Sequence, residues 1–379
     1  MTGARSQQTI KPALPADAAR HRGHTNQHPA ASFAQRLRLR QHSSDMTSLE
    51  FDDVIYSLQR FGGASSYWSE VTSRVVRDRR FQVRRGQPPA ISRLLPSLTQ
   101  ADVFHSSHFR VPLRRSRTRV ISTVHDMNFE LGFVKSGIGA VFNTQERRRS
   151  YFTSDALICI SESTRTELLS VYPQLQGRCE IRVIHHGLSR LPGGGVLPEP
   201  VSPQPGYVLF VGGRGGYKRF QDALHGFMLS QLHRQGFQLI CTGQAFTETE
   251  QAEIQSLGLA THVQAVGNVA PATLAALYRQ AHCLLYPSIH EGFGLPLIEA
   301  MDCACPVVCC NISCMPEIAG DAALLVAAEA PDAIAKALNQ LLEPEVRTSK
   351  IAQGLTRSAQ FSWDTSAERH MKLYLGEAD

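Results

Sequence analysis

Two glutamates eight residues apart, Glu291 and Glu299, are the residues of this chain best placed to do chemistry. They flank the run Gly292-Phe293-Gly294-Leu295-Pro296. The apolar stretch Cys283 to Tyr286 predicts a buried strand, the glycines a tight turn, and Leu295 to Met301 a helix that starts just after it. A helix start offers unpaired backbone N–H groups and the positive end of a dipole, which suits a phosphate. Glu291 then lies in the loop before the helix, and Glu299 lies about a turn and a half inside it. One carboxylate faces a group beyond the phosphate and the other a group behind it. A nucleotide-sugar has this layout: sugar, diphosphate, ribose.

A second chemical run is Gly212-Gly213-Arg214-Gly215-Gly216-Tyr217-Lys218, placed between an expected strand and an expected helix. It is not the dinucleotide fingerprint, because Lys218 stands where glycine or alanine is needed and the next strand ends Cys241-Thr242-Gly243 without an acid. It is not a P-loop, because Tyr217 intervenes and Arg219 follows the lysine. The remaining reading is a loop whose Arg214 and Lys218 project onto a diphosphate, a guanidinium fork and an ammonium offsetting a leaving nucleotide. In the other half, His125-Asp126 ends an expected strand, Gly62-Gly63 forms a turn before a helix, and Ser161 sits where a strand gives way to a helix.

The Glu291–Glu299 run resembles the donor-site signature of retaining glycosyltransferases of family 4. The resemblance covers residues 49–379 and is strongest from 207 to 326. It implies an α/β GT-B fold, two Rossmann-like β/α/β domains facing across a cleft with a C-terminal helix crossing back to the first. It implies a catalytic set of Glu291, His125, Arg214 and Lys218. Glu291 would hold sugar hydroxyls, His125 the donor sugar's outer hydroxyls, with Asp126 beside it, and Arg214 with Lys218 the diphosphate. The backbone of Gly292, Phe293 and Gly294 would donate to sugar and phosphate. Leu295 would shape the helix start, Glu299 would accept both ribose hydroxyls, and Gly62 and Gly63 would face the diphosphate from the first domain. Ser161 would lie near the cleft.

The resemblance further implies retention of configuration with neither metal nor cofactor. Within the family it runs to mannosyl-type transferases of bacterial surface-polysaccharide assembly. That makes GDP-mannose the expected donor and a lipid-linked glycan at the cytoplasmic membrane face the expected acceptor. Two rivals share the architecture: a sugar-nucleotide epimerase, and a non-catalytic nucleotide-sugar binding protein. A pyridoxal-phosphate phosphorylase is a third reading, but no cofactor lysine stands out.

The elements around these residues form two alternating series. Residues 1–48 read as a disordered extension and 49–190 as a first domain, with strands at Phe51–Tyr56, Val103–His105, Arg119–Val124, Ala156–Ile160 and Ile181–Ile184. Residues 191–206 carry Gly193-Gly194-Gly195 and, in their second half, four prolines, and read as a linker. A donor domain follows over 207–360, with Thr247 and Glu250 spaced as a capping box. Residues 361–379 supply a crossover helix. Strands alternating with helices imply parallel sheets.

Charge is uneven. Residues 1–48 hold seven Lys/Arg against two Asp/Glu, residues 49–190 hold 21 against 13, and the remainder 11 against 18. No nucleic-acid motif accompanies the arginines, so the basic half suits an anionic substrate or peripheral contact with an anionic membrane. No apolar run approaches the roughly 18 residues of a membrane span, and the N-terminus lacks a signal-peptide core, so the expected place is the cytoplasm. Of nine cysteines, Cys303, Cys305, Cys309, Cys310 and Cys314 crowd together. Their spacing matches no zinc pattern, and Pro306 to Cys310 reads as a buried strand in which cysteine serves as a small hydrophobe.

Overall fold

The computed structural model describes residues 46–59, 62–113, 118–134, 137–195 and 206–378. The expectation of disorder over 1–45, and most of the linker, lie outside them. Two six-stranded sheets organise the chain, every pairing parallel. The first holds β1 (Thr47–Asp52), β2 (Phe81–Gly86), β3 (Val103–Ser106), β4 (Arg119–Val124), β5 (Ala156–Cys159) and β6 (Glu180–Val183), in the order β2-β1-β3-β4-β5-β6. The second holds β7 (Tyr207–Phe210), β8 (Gln238–Cys241), β9 (Val263–Ala265), β10 (Cys283–Tyr286), β11 (Val307–Cys310) and β12 (Ala323–Val326), in the order β12-β11-β10-β7-β8-β9.

Strand order decides where a ligand goes. In an open parallel sheet the crevice lies beyond the carboxyl ends of the strands, where the winding direction reverses. In the second sheet that point falls between β7 and β10, so the loops 211–219 and 287–294 leave the sheet side by side. In the first sheet it falls between β1 and β3, and the chain leaving β1 runs through a short helix α1 (Ile55–Leu58) to Gly62.

The first strand corrects the sequence reading. It runs from Thr47 to Asp52, not Phe51 to Tyr56, and order begins before Leu49. Two acids end it. Asp52 accepts the Val54 N–H at 3.0 Å, and Asp53 accepts from Trp68 Nε1 at 2.6 Å and from Arg85 Nε at 2.9 Å. Chain drawn into these bonds curls into α1.

Helices α2 (Gly63–Val75), α3 (Ile138–Thr153) and α4 (Glu162–Val171) serve the first sheet. Helices α5 (Phe220–Leu229), α6 (Glu248–Ser256), α7 (Pro271–Gln280), α8 (Leu295–Asp302), α9 (Met315–Ala319), α10 (Pro331–Gln340) and α11 (Pro344–Ser358) serve the second. The expected capping box opens α6, with both reciprocal bonds between Thr247 and Glu250 present. The last helix, α12 (Trp363–Leu375), crosses back. Its Trp363, Met371, Leu373, Tyr374 and Leu375 join the core of Leu49, Phe51, Trp68 and Val71. Gly187 makes that crossing fit, since a Cβ there would stand 2.1 Å from the Trp363 nitrogen. The clustered cysteines are buried in the second core, and desolvation pushes the Cys305 thiol up to about 12, as suits an apolar role.

Candidate functional site

The second domain supplies a compact polar set at its switch point. Lys218, at the end of the β7 loop, places Nζ 2.5 Å from Glu291 Oε1 and 3.2 Å from the Tyr286 hydroxyl at the end of β10. The two loops are also stitched through backbone, Ile289 N–H donating to the Tyr217 carbonyl at 2.9 Å. Ser313 holds Glu291 from below: its hydroxyl accepts the Glu291 N–H at 3.2 Å and donates to the Glu291 carbonyl at 2.9 Å. Ser313 adopts φ 56° to do so, a left-handed conformation that non-glycine residues seldom take. Gly294, at φ 81°, caps α8, and Leu295 is that helix's first residue. The free N–H groups of the α8 start therefore open beside the Lys218–Glu291 pair.

Glu299 lies one and a half turns along α8, half-buried, with the Tyr278 hydroxyl donating to Oε2 at 3.2 Å. Burial raises its pKa above the usual carboxylate range, and the Tyr278 bond opposes the rise. A cavity of about 610 Å³ opens nearby at the ends of β7, β8 and β9. Gly212, Gly213, Thr242, Asn268, Val269 and Leu274 line it. Leu274 and Tyr278 share helix α7, so the cavity and the glutamate are one helix turn apart.

The first domain brings His125, Asp126, Gly62 and Gly63 to the facing edge. His125 follows β4, its ring edge-on to Tyr67 with centroids 5.0 Å apart. Burial pushes its imidazole down to about 4, against the pull of Asp126, so the ring is neutral at pH 7 and able both to donate and to accept. Asp126 accepts from Arg147 at 3.2 Å and from the Asn128 N–H at 3.0 Å. Tyr67 is itself fixed from behind. Its hydroxyl lies 2.8 Å from His370 Nε2 of α12 and 2.9 Å from Thr123 Oγ1, and His105 continues the chain to Tyr374. Gly62 caps α2, and a Cβ on Gly63 would come 3.9 Å from Leu295 of the opposite domain. Two helix starts, α2 and α8, thus approach one another across the cleft, and both favour negative charge between them.

Several bonds cross that cleft. The Gly292 carbonyl accepts from Ser161 Oγ at 2.8 Å and Thr164 Oγ1 at 3.2 Å. His290, buried, reaches Asn128 Oδ1 at 2.8 Å and Glu167 Oε2 at 3.0 Å, while Phe133 stacks on its ring at 4.4 Å. Glu317, on α9, accepts the N–H groups of Glu162 and Ser163 at 2.8 and 3.1 Å, and lies 2.7 Å from His185 Nε2. It acts as a carboxylate cap for a helix of the other domain.

Arg214 and Ser161 have their side chains engaged by the protein itself. Arg214 was expected over a diphosphate. Its guanidinium is bonded to Glu250 at 3.0 Å and to the Gln244 and Ala245 carbonyls at 2.7 and 2.8 Å, with Phe246 beneath it at 4.8 Å. Its geometry braces the β7 and β8 loops while it also lines the cavity beside them, and Lys218 is the cation bonded to Glu291 near the α8 start. Ser161 caps α4 by accepting the Thr164 N–H and gives its proton to Gly292, so its hydroxyl serves the interface. Phe293 points its ring at His186 and Phe361, at 4.8 and 5.7 Å, leaving only its backbone to the cleft. Tyr67, Tyr278, Tyr286, Ser313, His290 and Glu317 escaped the sequence reading. Of these only Tyr286 carried a local signal, its place at the end of the strand feeding the glutamate loop.

Residues 198–357 match the family Glycosyl transferases group 1, and residues 30–190 match Glycosyltransferase Family 4. The O-antigen chain mannosyltransferase B of Escherichia coli is 27% identical over 282 residues, 72% of this chain and 74% of that protein. The sucrose-phosphate synthase of Thermosynechococcus elongatus superposes with a TM-score of 0.62 at 16% identity, over 86% of this chain and 98% of that one. The HepE protein of Anabaena, solved in complex with UDP, superposes with a TM-score of 0.61 at 18% identity, over 86% and 99%. These likenesses carry the two-domain GT-B fold.

Proposed function

The chain is a glycosyltransferase of the family 4 type, acting from a nucleotide-sugar, and on that premise we propose that it moves a mannosyl unit from GDP-mannose to a hydroxyl of a lipid-linked glycan in surface-polysaccharide assembly. The observation that carries the site assignment is the pair Lys218–Glu291 beside the α8 start, opposite the start of α2. A diphosphate between two helix starts meets converging N–H groups. An ammonium has three protons, and Glu291 and Tyr286 engage two, so Lys218 keeps one for a phosphate oxygen. As the sugar–phosphate bond lengthens, charge grows on that oxygen, and these fixed donors stabilise it.

Glu291 and neutral His125 hold the sugar hydroxyls from opposite domains. Glu299, with one oxygen on Tyr278, presents the other to the ribose, and the cavity at Asn268 and Val269 takes the base. Transfer proceeds with retention and without metal, the leaving phosphate accepting the acceptor's proton on the face it departs from. The bonds across the cleft close the site against water. The enzyme works in the cytoplasm, peripheral to the membrane. No described helix is long and apolar enough to cross a bilayer.

The test is nucleotide release from UDP-, GDP- and ADP-sugars, without added metal, by wild type and Glu299→Ala. Slow release from GDP-mannose alone, lost in the variant, is the expected result. Release from another donor replaces the sugar assignment. Nucleotide binding with no turnover on any donor, even with a lipid-linked glycan supplied, overturns the reading.

A further inference from the structure

The first domain carries a second concavity that the donor chemistry does not use. It measures about 380 Å³, within the range of ligand pockets, and lies between the segment 93–96 and helix α3. Leu95, Phe109, Val111 and Phe142 make its walls, and Arg93 and Arg149 stand at its edge. The apolar lining extends outward as a collar. Leu98 is 82% exposed, Leu113 62% and Val141 63%, and Leu113 lies beside Leu98 because its N–H donates to the Ser97 carbonyl at 2.9 Å. Exposed apolar side chains gathered in one place mark a binding surface, whereas the same residues scattered singly would not.

The groove is built rather than incidental. Arg110 fixes one wall by donating to the Leu95 and Pro96 carbonyls at 2.8 and 3.3 Å. Phe109 sits at φ 50°, a strained conformation for an aromatic residue, and its ring receives the Arg147 guanidinium at 5.1 Å. Arg147 in turn bonds Asp126, next to His125. Arg147 therefore links a wall of the groove to the residue beside His125. The loops that form it follow β2, β3 and β4, so it opens on the same carboxyl edge as the cleft.

Charge selects the occupant. Glu146 stands 4.0 Å from Arg93 and acts on Arg149 as well, so one acid offsets part of a two-arginine rim whose net charge stays positive. An apolar trough with a cation at its rim fits a hydrocarbon chain that ends in phosphate. We propose that this groove binds the phosphate-bearing hydrocarbon chain of a lipid-linked acceptor, with Arg149 at the phosphate and Leu95, Phe109 and Phe142 along the chain. The proposal rests on the lipid-linked acceptor of the functional reading and gives it a place.

Farnesyl diphosphate is the probe, titrated calorimetrically into the full chain saturated with GDP so that the donor site is occupied. Inorganic diphosphate, farnesol and phosphatidylcholine vesicles with and without phosphatidylglycerol are the comparison arms. We expect farnesyl diphosphate to bind more tightly than inorganic diphosphate or farnesol. Leu95→Asp and Arg149→Gln, both at exposed positions, should each weaken it on the order of tenfold while GDP affinity and melting temperature stay at wild-type values. Equal affinity for farnesyl and inorganic diphosphate overturns the proposal, as does binding unchanged in both variants. Binding to anionic vesicles alone also overturns it, and makes the collar a bilayer contact instead. Donor turnover is read separately, so failure of the transferase assignment shows there and not in this titration.

Discussion

Gly292 of the second domain lies against the backbone carbonyl of His125 in the first, so close that a Cβ on the glycine would stand 1.8 Å from that oxygen. The obstacle is backbone, which cannot rotate away. Gly292→Ala should force the domains apart by an ångström or more, and misplacement of that size costs about a hundredfold in rate. Nucleotide affinity should fall far less, because Glu299, Lys218, the α8 start and the cavity belong to one domain and only the α2 start is drawn away. Steady-state turnover alongside calorimetric GDP binding separates the two; equal losses in both would show that the contact does not set catalytic alignment.

Lys218 and Glu291 act as a pair at 2.5 Å. Lys218→Gln should lower donor turnover roughly a hundred- to a thousandfold, the cost of losing one fixed donor to a developing oxyanion. Glu291→Gln should do comparable harm, and the double variant should lose far less than the product of the two, since residues acting as a unit are not additive. Rates for the four proteins of the cycle decide it.

Burial raises the pKa of Glu299, which fixes the sign of its effect on stability. A carboxyl with a raised folded-state pKa contributes stability in full below its unfolded value and loses it as pH climbs through the folded one. Glu299→Gln keeps the shape without the charge. It should therefore melt at a higher temperature than wild type at pH 8 and show less advantage at pH 4, while binding GDP more weakly. Melting curves at the two pH values test the sign.

Glu317 runs the other way. Its hydrogen bonds from His185 and from the Glu162 and Ser163 amides outweigh burial and hold its pKa below the usual range. The stabilisation exists above the unfolded value and disappears as pH falls through the folded one. Since those partners belong to the other domain, acid should loosen the closed pair of domains. Glu317→Gln should loosen it already at pH 7, read as a larger radius of gyration in solution scattering. An unchanged radius at pH 7 would show that the remaining cleft bonds suffice.

The elements legible in the sequence were those bounded by their own residues. Cys283–Tyr286 is a short apolar run closed by Pro287, α6 announces itself through Thr247 and Glu250, and α8 through Gly294 and Pro296. Strand β2 was not legible, because its Phe-Gln-Val-Arg-Arg-Gly pattern belongs to an exposed edge strand rich in arginine. Glu291, Glu299 and Lys218 were singled out by spacing alone, and the fold brings Lys218 and Glu291 into contact. The ion pair of Arg214 was not legible, because Glu250 sits 36 residues away on helix α6. Tyr67 and Glu317 were invisible for the same reason: their partners, His370 and the α4 amides, lie 303 and about 155 positions distant.

The path of α12 has a consequence for how the protein is made. Trp363, Met371, Tyr374 and Leu375 fill the core around Phe51 and Trp68, and they are made only after the whole second domain has been synthesised. Until then the half of the molecule synthesised first carries an open apolar seam while the half synthesised second can already close. The second half should survive expression on its own, and the first half, cut at the linker, should need chaperones or the separate addition of its missing helix.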